Sequence, residues 1–308
     1  MTTNAIQSSH IYSTYFAPRG RSRIYTLGMQ IAQLYLSPFD QIIGFIGEAG
    51  SGKSVLIKGM FPGIELTNDD DGVNVRPLPL LEQEYETGFF TPHTYHLDIR
   101  FETGFHQLSE LADAVRLAVR RGKRIIIEHF DLIYPLLGVN ANLLIGVGEQ
   151  IVITRPNLFG PLPQELCDIV YPSLAYRLMA HSAEDLCEYA MTQEQMLACS
   201  HGDIRHGFVL EFNEHQPDID IPTLESRVNE LIRADLPIDY YDESHILLGG
   251  AQHYCTGPRT HVRSTGRIIG FRLLDHFIYD HFHKTYMLVG CVGDDSEENI
   301  RKLEKIHG

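Results

Sequence analysis

The sequence has few cysteines, no long apolar run and no N-terminal targeting pattern. Its five cysteines are scattered and odd in number, which disfavours a disulfide framework and is typical of a reducing cytosol. No apolar run approaches the roughly 20 residues that a membrane-spanning helix needs. The opening MTTNAIQSSHIYSTYF lacks the basic-then-apolar order of a signal peptide. We therefore expect a cytoplasmic protein with no membrane partner.

Positive charge is also scarce. The chain has 25 Lys and Arg against 40 Asp and Glu, a net charge of −15, which argues against broad affinity for nucleic acid and predicts no DNA partner. Residues 244–274, which we call the basic segment, are the exception, because they contain no acidic residue. Four arginines lie there, namely Arg259, Arg263, Arg267 and Arg272.

At 308 residues the chain is long enough for two domains. Over residues 41–156 strands alternate with helices, which predicts a parallel sheet with right-handed crossovers, an α/β fold of the P-loop NTPase kind. Beyond about residue 175 the order is that of a smaller α+β domain. We place the first domain at 1–177 and the second at 178–308. The predicted strands are 41–47, 63–73, 94–101, 124–133, 149–156, 207–212, 267–277 and 285–292, and the principal helices are 108–123, 175–197, 223–238 and 296–308.

GEAGSGKS, at residues 47–54, follows a predicted strand and begins a helix. It fits the pattern of a phosphate-binding loop, in which glycines let backbone N–H groups point at phosphate oxygens. We therefore predict a site for ATP or GTP with Mg²⁺, in which Lys53 reaches the β- and γ-phosphates and Ser54 is a magnesium ligand. The predicted nucleotide-binding residues are Gly47, Gly50, Ser51, Gly52, Lys53 and Ser54.

A nucleotide-bound Mg²⁺ needs a further acidic group from a neighbouring strand. Glu128, after RIII, is the first candidate and Asp131 is the second. Asp70, in the acidic run 69–71, lies where small P-loop kinases keep a carboxylate that activates the phosphate acceptor. A solvated acidic turn explains that run equally well. The basic residues of 120–124 are explained more simply by a charged helix end than by phosphate.

HYCTGPRTHV, at residues 253–262, places Cys255 and His261 around a Gly-Pro turn. On the predicted helix at 175–197, His181 and Asp185 are four residues apart and share one face. Together these four side chains supply the N, O and S ligands of a tetrahedral zinc site. The alternative is an inert thiol and packed histidines.

Four segments recur in the order known from a family of domains. They are HSAED, FVLEF, LESRVNELIRADLPI and CTGPRTHVRSTGRIIGFRLL, and they resemble the second additional domain of alanyl- and threonyl-tRNA synthetases, the editing module also found in free-standing deacylases. The whole chain resembles bacterial proteins that join a P-loop domain to this module. The resemblance implies that His181, Cys255 and His261 are metal ligands. Asp185 stands where the family has a second helix histidine, and the Cys-to-His loop is two residues longer.

The resemblance implies recognition of an aminoacylated tRNA 3′ end, with zinc-dependent cleavage of its ester. The arginines of the basic segment, Arg259, Arg263 and Arg267, would then meet the tRNA acceptor end. Two alternatives stay open. In one, the first domain is a small-molecule or nucleoside kinase or an NTPase switch, and the second domain only binds or regulates. In the other, the protein is a nucleotide-gated tRNA sensor without turnover.

Overall fold

The computed structural model describes residues 12–64, 66, 94–213 and 215–307. Most of the predicted strand at 63–73, including Asp70, lies outside these residues. The chain forms two compact units. Unit 1 consists of Met1–Tyr15 and Ser22–Pro172, and unit 2 consists of Phe16–Arg21 and Ser173–Gly308.

The sheet of unit 1 is mixed and mainly parallel. Its strands are β1 (Ser13–Phe16), β2 (Ile42–Ile46), β3 (Thr94–Asp98), β4 (Arg124–Glu128), β5 (Leu143–Val147) and β6 (Gln150–Thr154), in the spatial order β1-β6-β5-β2-β4-β3. The pairs β2–β4, β2–β5 and β3–β4 are parallel. The residues between β5 and β6 are only 148–149, and so short a connection can join only antiparallel strands. The predicted strand at 149–156 therefore runs antiparallel to β5, a strand that the sequence prediction missed.

Helices pack on this sheet through their apolar faces. They are α1 (Arg21–Tyr35), α2 (Lys53–Met60), α3 (Ile99–Glu102), α4 (Leu108–Arg120), α5 (Phe130–Leu137) and the first part of α6 (Pro163–Ala190). The predicted strands at 94–101 and 124–133 are shorter than expected, because each changes to a helix after its acidic last residue. In α4 the buried Leu111, Val115 and Ala118 lie on one face and join the core under β3 and β4.

Helices α1 and α2 approach each other closely where both carry glycine. A Cβ placed on Gly59 would lie 2.2 Å from the carbonyl oxygen of Tyr25, and one placed on Gly28 would lie 2.5 Å from that of Leu56. These separations are far shorter than van der Waals contact. Glycine is therefore required at both positions for the two backbones to meet.

Unit 2 is built on antiparallel sheets. Its strands are β7 (Cys199–Ile204), β8 (Gly207–Asn213), β9 (Ile238–Asp242), β10 (His245–Leu248), β11 (Ala251–Tyr254), β12 (Arg272–Leu273), β13 (Ile278–Asp280) and β14 (Thr285–Cys291). One sheet has the order β12-β14-β8-β7 with β13 on β14, and the other has the order β11-β10-β9. The helices are the last part of α6, α7 (Gln193–Ala198), α8 (Ile221–Arg233) and α9 (Ser296–His307). The core contains Phe208, Leu210, Val228, Ile246 and Leu288.

Two predicted elements of unit 2 differ from the structure. The predicted single helix at 175–197 is two helices, because α6 ends at Ala190 and Thr192 begins α7 with a capping box to Gln195. The predicted strand at 267–277 is mostly irregular, and only Arg272–Leu273 pair with β14. Thr265–Arg267, just before and at its start, form a short 3₁₀ helix. Among the described residues, no helix combines the length and apolar character needed to cross a membrane.

Candidate functional site

The loop at residues 47–54 joins the end of β2 to the start of α2. Gly50 and Gly52 have φ angles of 78° and 89°, in the left-handed region that glycine adopts without strain. Lys53 is buried, and its Nζ donates to the carbonyl oxygens of Gly47 at 3.0 Å and Glu48 at 2.9 Å. The loop therefore curls around the lysine ammonium group.

Glu128 lies beside this loop because β4 ends next to β2. Its Oε1 accepts hydrogen bonds from Ser54 Oγ and His96 Nε2, each at 3.1 Å, and its Oε2 lies 3.7 Å from Lys53 Nζ. Burial raises the pKa of Glu128, but the hydrogen bond from His96 and the charges of His96 and Lys53 outweigh burial and bring it to about 2. The structure thus brings together three of the residues that the sequence singled out, with an ionised carboxylate beside the Ser54 hydroxyl.

Other sequence candidates near the loop have different roles. Asp131 lies in α5, where burial raises its pKa and it accepts a hydrogen bond from Tyr171 at 3.3 Å. Arg124 begins β4, at the opposite end of the strand from Glu128, and donates to the backbone oxygens of Ser37 and Asp40. Arg124 therefore supports a turn and does not face the loop, and it belongs to a strand instead of the predicted charged helix end.

Asp98 and His129, which sequence reasoning did not single out, lie next to Glu128. Ligand-capable atoms of Asp98, Glu128 and His129 lie within 4.8 Å of one another, and all three residues are buried. Burial, and then the charge of Lys53, lowers the pKa of His129 to about 4, which leaves the neutral imidazole that binds metals. Asp98 could have been predicted from the sequence, because Asp98 and Glu128 both end parallel strands at one edge of the sheet.

The four predicted zinc ligands converge in unit 2. Cys255 Sγ lies 3.5 Å from His181 Nε2 and 3.2 Å from His261 Nε2. Asp185 carboxylate oxygens lie 3.8 Å from His181 Nε2 and 3.5 Å from His261 Nε2. Around a tetrahedral zinc, ligands at about 2.0–2.3 Å are separated by about 3.3–3.7 Å. The spacing is therefore close to that of a coordination shell.

Hydrogen bonds outside this cluster orient its rings. His181 Nδ1 donates to the carbonyl oxygen of Thr260 at 2.8 Å, so that Nε2 carries the lone pair. His261 Nδ1 contacts Ser182 Oγ at 3.1 Å, and the same oxygen accepts from the N–H of Val262. The N–H of Gly257 donates to Cys255 Sγ at 3.2 Å. Both imidazoles thus present Nε2 towards the thiol and the carboxylate.

Burial shifts the pKa values of His181, His261 and Asp185 in this cluster. It lowers the pKa of His181 well below its usual value and that of His261 to about 3, and the neighbouring imidazoles add to both effects. Burial, and then the charges of Glu188 and Glu184, raises the pKa of Asp185 well above its usual value. Asp185 Oδ2 is buried and makes no hydrogen bond to the described residues. A cation at the centre would supply the positive partner that this carboxylate requires.

A buried ion pair lies beside the cluster and satisfies a different carboxylate of the same helix. Arg19 donates from Nε and Nη2 to the two oxygens of Glu184, each at 3.0 Å, and its Nη2 lies 3.3 Å from Asp203. Arg19 also donates to the backbone oxygens of Gly202 and Gly207. The guanidinium is therefore engaged by Glu184 and Asp203, and Asp185 lies on the side of the histidines.

Further polar residues that the sequence prediction did not single out adjoin Asp185. Ligand-capable atoms of Asp185, Glu188 and His253 lie within 4.8 Å of one another, as do those of Glu188, Cys199 and His201. Glu188 could have been found, because it follows His181 by seven residues and Asp185 by three, the spacing of one helix face.

The arginines of the basic segment have unequal surroundings. Arg259, Arg263 and Arg267 are exposed, and the Arg259 guanidinium lies 4.4 Å from the ring centroid of Tyr240. Arg272 is engaged, at 3.1 Å from Glu225 and 3.5 Å from Glu297. The surface of unit 2 therefore has three exposed arginines, of which Arg259 lies over an aromatic ring.

Comparison with protein-family models and with curated proteins finds no match to this chain. The fold and the side chains define a mixed α/β protein with a mainly parallel six-stranded sheet, additional antiparallel sheets, and groups of His, Cys, Asp and Glu able to hold a metal ion.

Proposed function

We propose that unit 2 binds the aminoacylated 3′ end of a tRNA at a zinc site and hydrolyses the ester, and that unit 1 is a P-loop domain that binds ATP or GTP with Mg²⁺. The observation that carries the proposal is the convergence of His181, Asp185, Cys255 and His261 from a helix and a distant loop. The order of the four resembling segments supports an editing-type domain around that cluster.

The donor set fits zinc. One thiol, two imidazoles and one carboxylate form a mixed set that zinc accepts in tetrahedral geometry, and the unpartnered Asp185 Oδ2 is the atom that a cation would engage. When bound, zinc would supply a positive charge that selects and positions the amino and hydroxyl groups of the aminoacyl ester. An aminoacyl ester is already activated, so an oriented water completes the reaction.

The exposed arginines would contact the tRNA backbone. Arg259, Arg263 and Arg267 provide cations on an acidic chain, and the exposed rings of Tyr240 and Tyr254 provide stacking surfaces for unpaired bases. Replacing Arg263 and Arg267 by Ala should weaken tRNA binding and make it less sensitive to salt. Arg272→Ala is the matched control, because that guanidinium is engaged by Glu225 and Glu297. An equal effect of Arg272→Ala would contradict this assignment.

The deciding experiment is deacylation. Zinc-loaded protein is incubated with seryl- or glycyl-tRNA(Ala), or with mischarged products of threonyl-tRNA synthetase, and the surviving ester is measured against buffer. We expect loss of the ester with the native chain, and loss of that activity in Cys255→Ala. A Cys187→Ala control removes another buried thiol of unit 2 that belongs to none of these groups. If every charged tRNA survives with the loaded protein as it does in buffer, the hydrolase proposal is wrong.

The second candidate is a kinase or NTPase switch, which the contacts of Glu128 with Ser54 and Lys53 favour. Those residues match the lysine, hydroxyl and carboxylate of a Mg²⁺-nucleotide site. ATP and GTP hydrolysis are measured with and without tRNA. Hydrolysis that rises only with tRNA indicates a tRNA sensor, whereas phosphoryl transfer to a small molecule without tRNA indicates a kinase.

A further inference from the structure

Asp185 of the proposed zinc site lies beside two further buried polar residues, Glu188 and His253, which that site does not explain. Asp185, Glu188 and His253 are 5%, 6% and 8% exposed, and their ligand-capable atoms lie within 4.8 Å of one another. His253 Nε2 makes no hydrogen bond to any residue in the described ranges, and the same holds for Asp185 Oδ2. The proposed zinc would engage Asp185 Oδ2, but it leaves the buried His253 Nε2 without a partner, which is unusual for a buried polar atom.

The local structure explains why these side chains meet. Asp185 and Glu188 are three residues apart on α6 and therefore share a face. His253 is in β11, two residues before Cys255, and both side chains are buried. The Tyr189 and His253 rings pack in a T-shaped arrangement, with centroids 5.7 Å apart. The imidazole is thus held against the two carboxylates.

Glu188 is oriented by contacts on one oxygen. Its Oε1 is in direct hydrogen-bonded contact with His201 Nε2 and lies 3.6 Å from Cys199 Sγ. Carboxylates that ligate metals are themselves hydrogen-bonded, and His201 supplies such a contact to Glu188 while its other oxygen stays available.

We propose that Asp185, Glu188 and His253 hold a second divalent cation, and that Asp185 bridges it to the zinc on His181, Cys255 and His261. A shared carboxylate places two ions about 3.5–4 Å apart. The second site has oxygen and nitrogen donors but no thiolate, so it suits Zn²⁺ or Mn²⁺. Three protein ligands leave a position for water or substrate, whereas the first ion has four. The second site itself does not depend on the proposed function. A role of its ion in cleaving the ester does rest on the proposed function.

Metal counting tests the proposal without tRNA. The full chain is stripped with a chelator, loaded with zinc, passed through gel filtration and assayed for zinc per chain. We expect two equivalents for the native protein and one for Glu188→Gln and for His253→Ala. His206→Asn is the control and should keep two, because His206 pairs with Asp295 and belongs to none of the metal groups.

Two further measurements show whether the second zinc equivalent is bound at the proposed site. Glu128→Gln removes a ligand from the group in unit 1, and it must also keep two equivalents. In a cobalt titration, thiolate-to-cobalt charge transfer should saturate at the first equivalent, and the second should add only ligand-field absorption, because Cys255 belongs to the first site alone.

One equivalent in the native protein overturns the proposal, as does a Glu128→Gln protein that has lost one. Two equivalents retained by both Glu188→Gln and His253→Ala overturn it as well, and Glu188 is then a partner of His201 with a water at His253. Absence of deacylation from a protein with two ions refutes the proposed function alone. Deacylation by a protein with one ion refutes only the second site.

Discussion

Removal of zinc from the proposed site in unit 2 should lower the melting temperature of that unit by several degrees. The four ligand atoms have nearly the spacing of a tetrahedral shell, so little rearrangement opposes binding. A ligand that binds only the folded state at 100 times its Kd stabilises it by about 2.7 kcal/mol. For a domain of roughly 150 residues, about 1 kcal/mol shifts the melting temperature by about 2–4 °C. We therefore expect a loss of roughly 5–11 °C.

The assay is thermal unfolding followed by circular dichroism, with free zinc buffered at known concentrations and then removed by chelator. Cys255→Ala should lose the part of the zinc response that belongs to the first ion, so that zinc raises its melting temperature less than it raises that of the native protein. Cys187→Ala should lower the melting temperature through lost packing but keep the zinc response, and its effect identifies the transition that belongs to unit 2. An unchanged native melting curve after chelation, with metal absence verified, would refute the reasoning.

Three further outcomes follow from the structure. Glu128 has a pKa of about 2 against an ordinary 4.5, so its stabilisation, about 3 kcal/mol, is present above pH 4.5 and is lost as the pH falls towards 2. Urea unfolding at several pH values should show this dependence in the native protein and lack it in Glu128→Gln. Lys53→Ala should weaken nucleotide binding at least tenfold by titration calorimetry, whereas Lys58→Ala on the same helix should not, and equal losses would contradict the assigned role of Lys53. Gly59→Ala should destabilise unit 1 by about 1–3 kcal/mol, because its Cβ would lie 2.2 Å from the carbonyl oxygen of Tyr25; unchanged urea unfolding would show that α1 and α2 separate freely.

Helical spacing and motif context predicted much of the fold, because those signals are local. Helix α4 and strands β2, β8 and β14 lie where their apolar patterns place them. The direction of β6 was not predicted, since it depends on recognising β5 and the short hairpin between them. The end of α6 at Ala190 was also missed, although Thr192 and Gln195 carry a capping signal.

In the candidate sites too, the sequence predicted local neighbours but not contacts that depend on tertiary packing. His181 and Asp185 are neighbours on any helix, but their meeting with Cys255 depends on tertiary packing, and the family resemblance supplied that link. No such guide pointed to His253 or His129, because their burial next to carboxylates arises from strand placement. The structure was needed to find both.

The position of Arg19 limits how the chain can be divided. The segment Phe16–Arg21 belongs with residues that come more than 150 positions later, so a fragment that begins near residue 173 would lack the guanidinium that neutralises Glu184 and Asp203. Such a fragment would leave the buried Glu184 and the partly buried Asp203 without the guanidinium that they share. Expression of the second half therefore requires the early peptide to be supplied, either through a linker or as a separate chain.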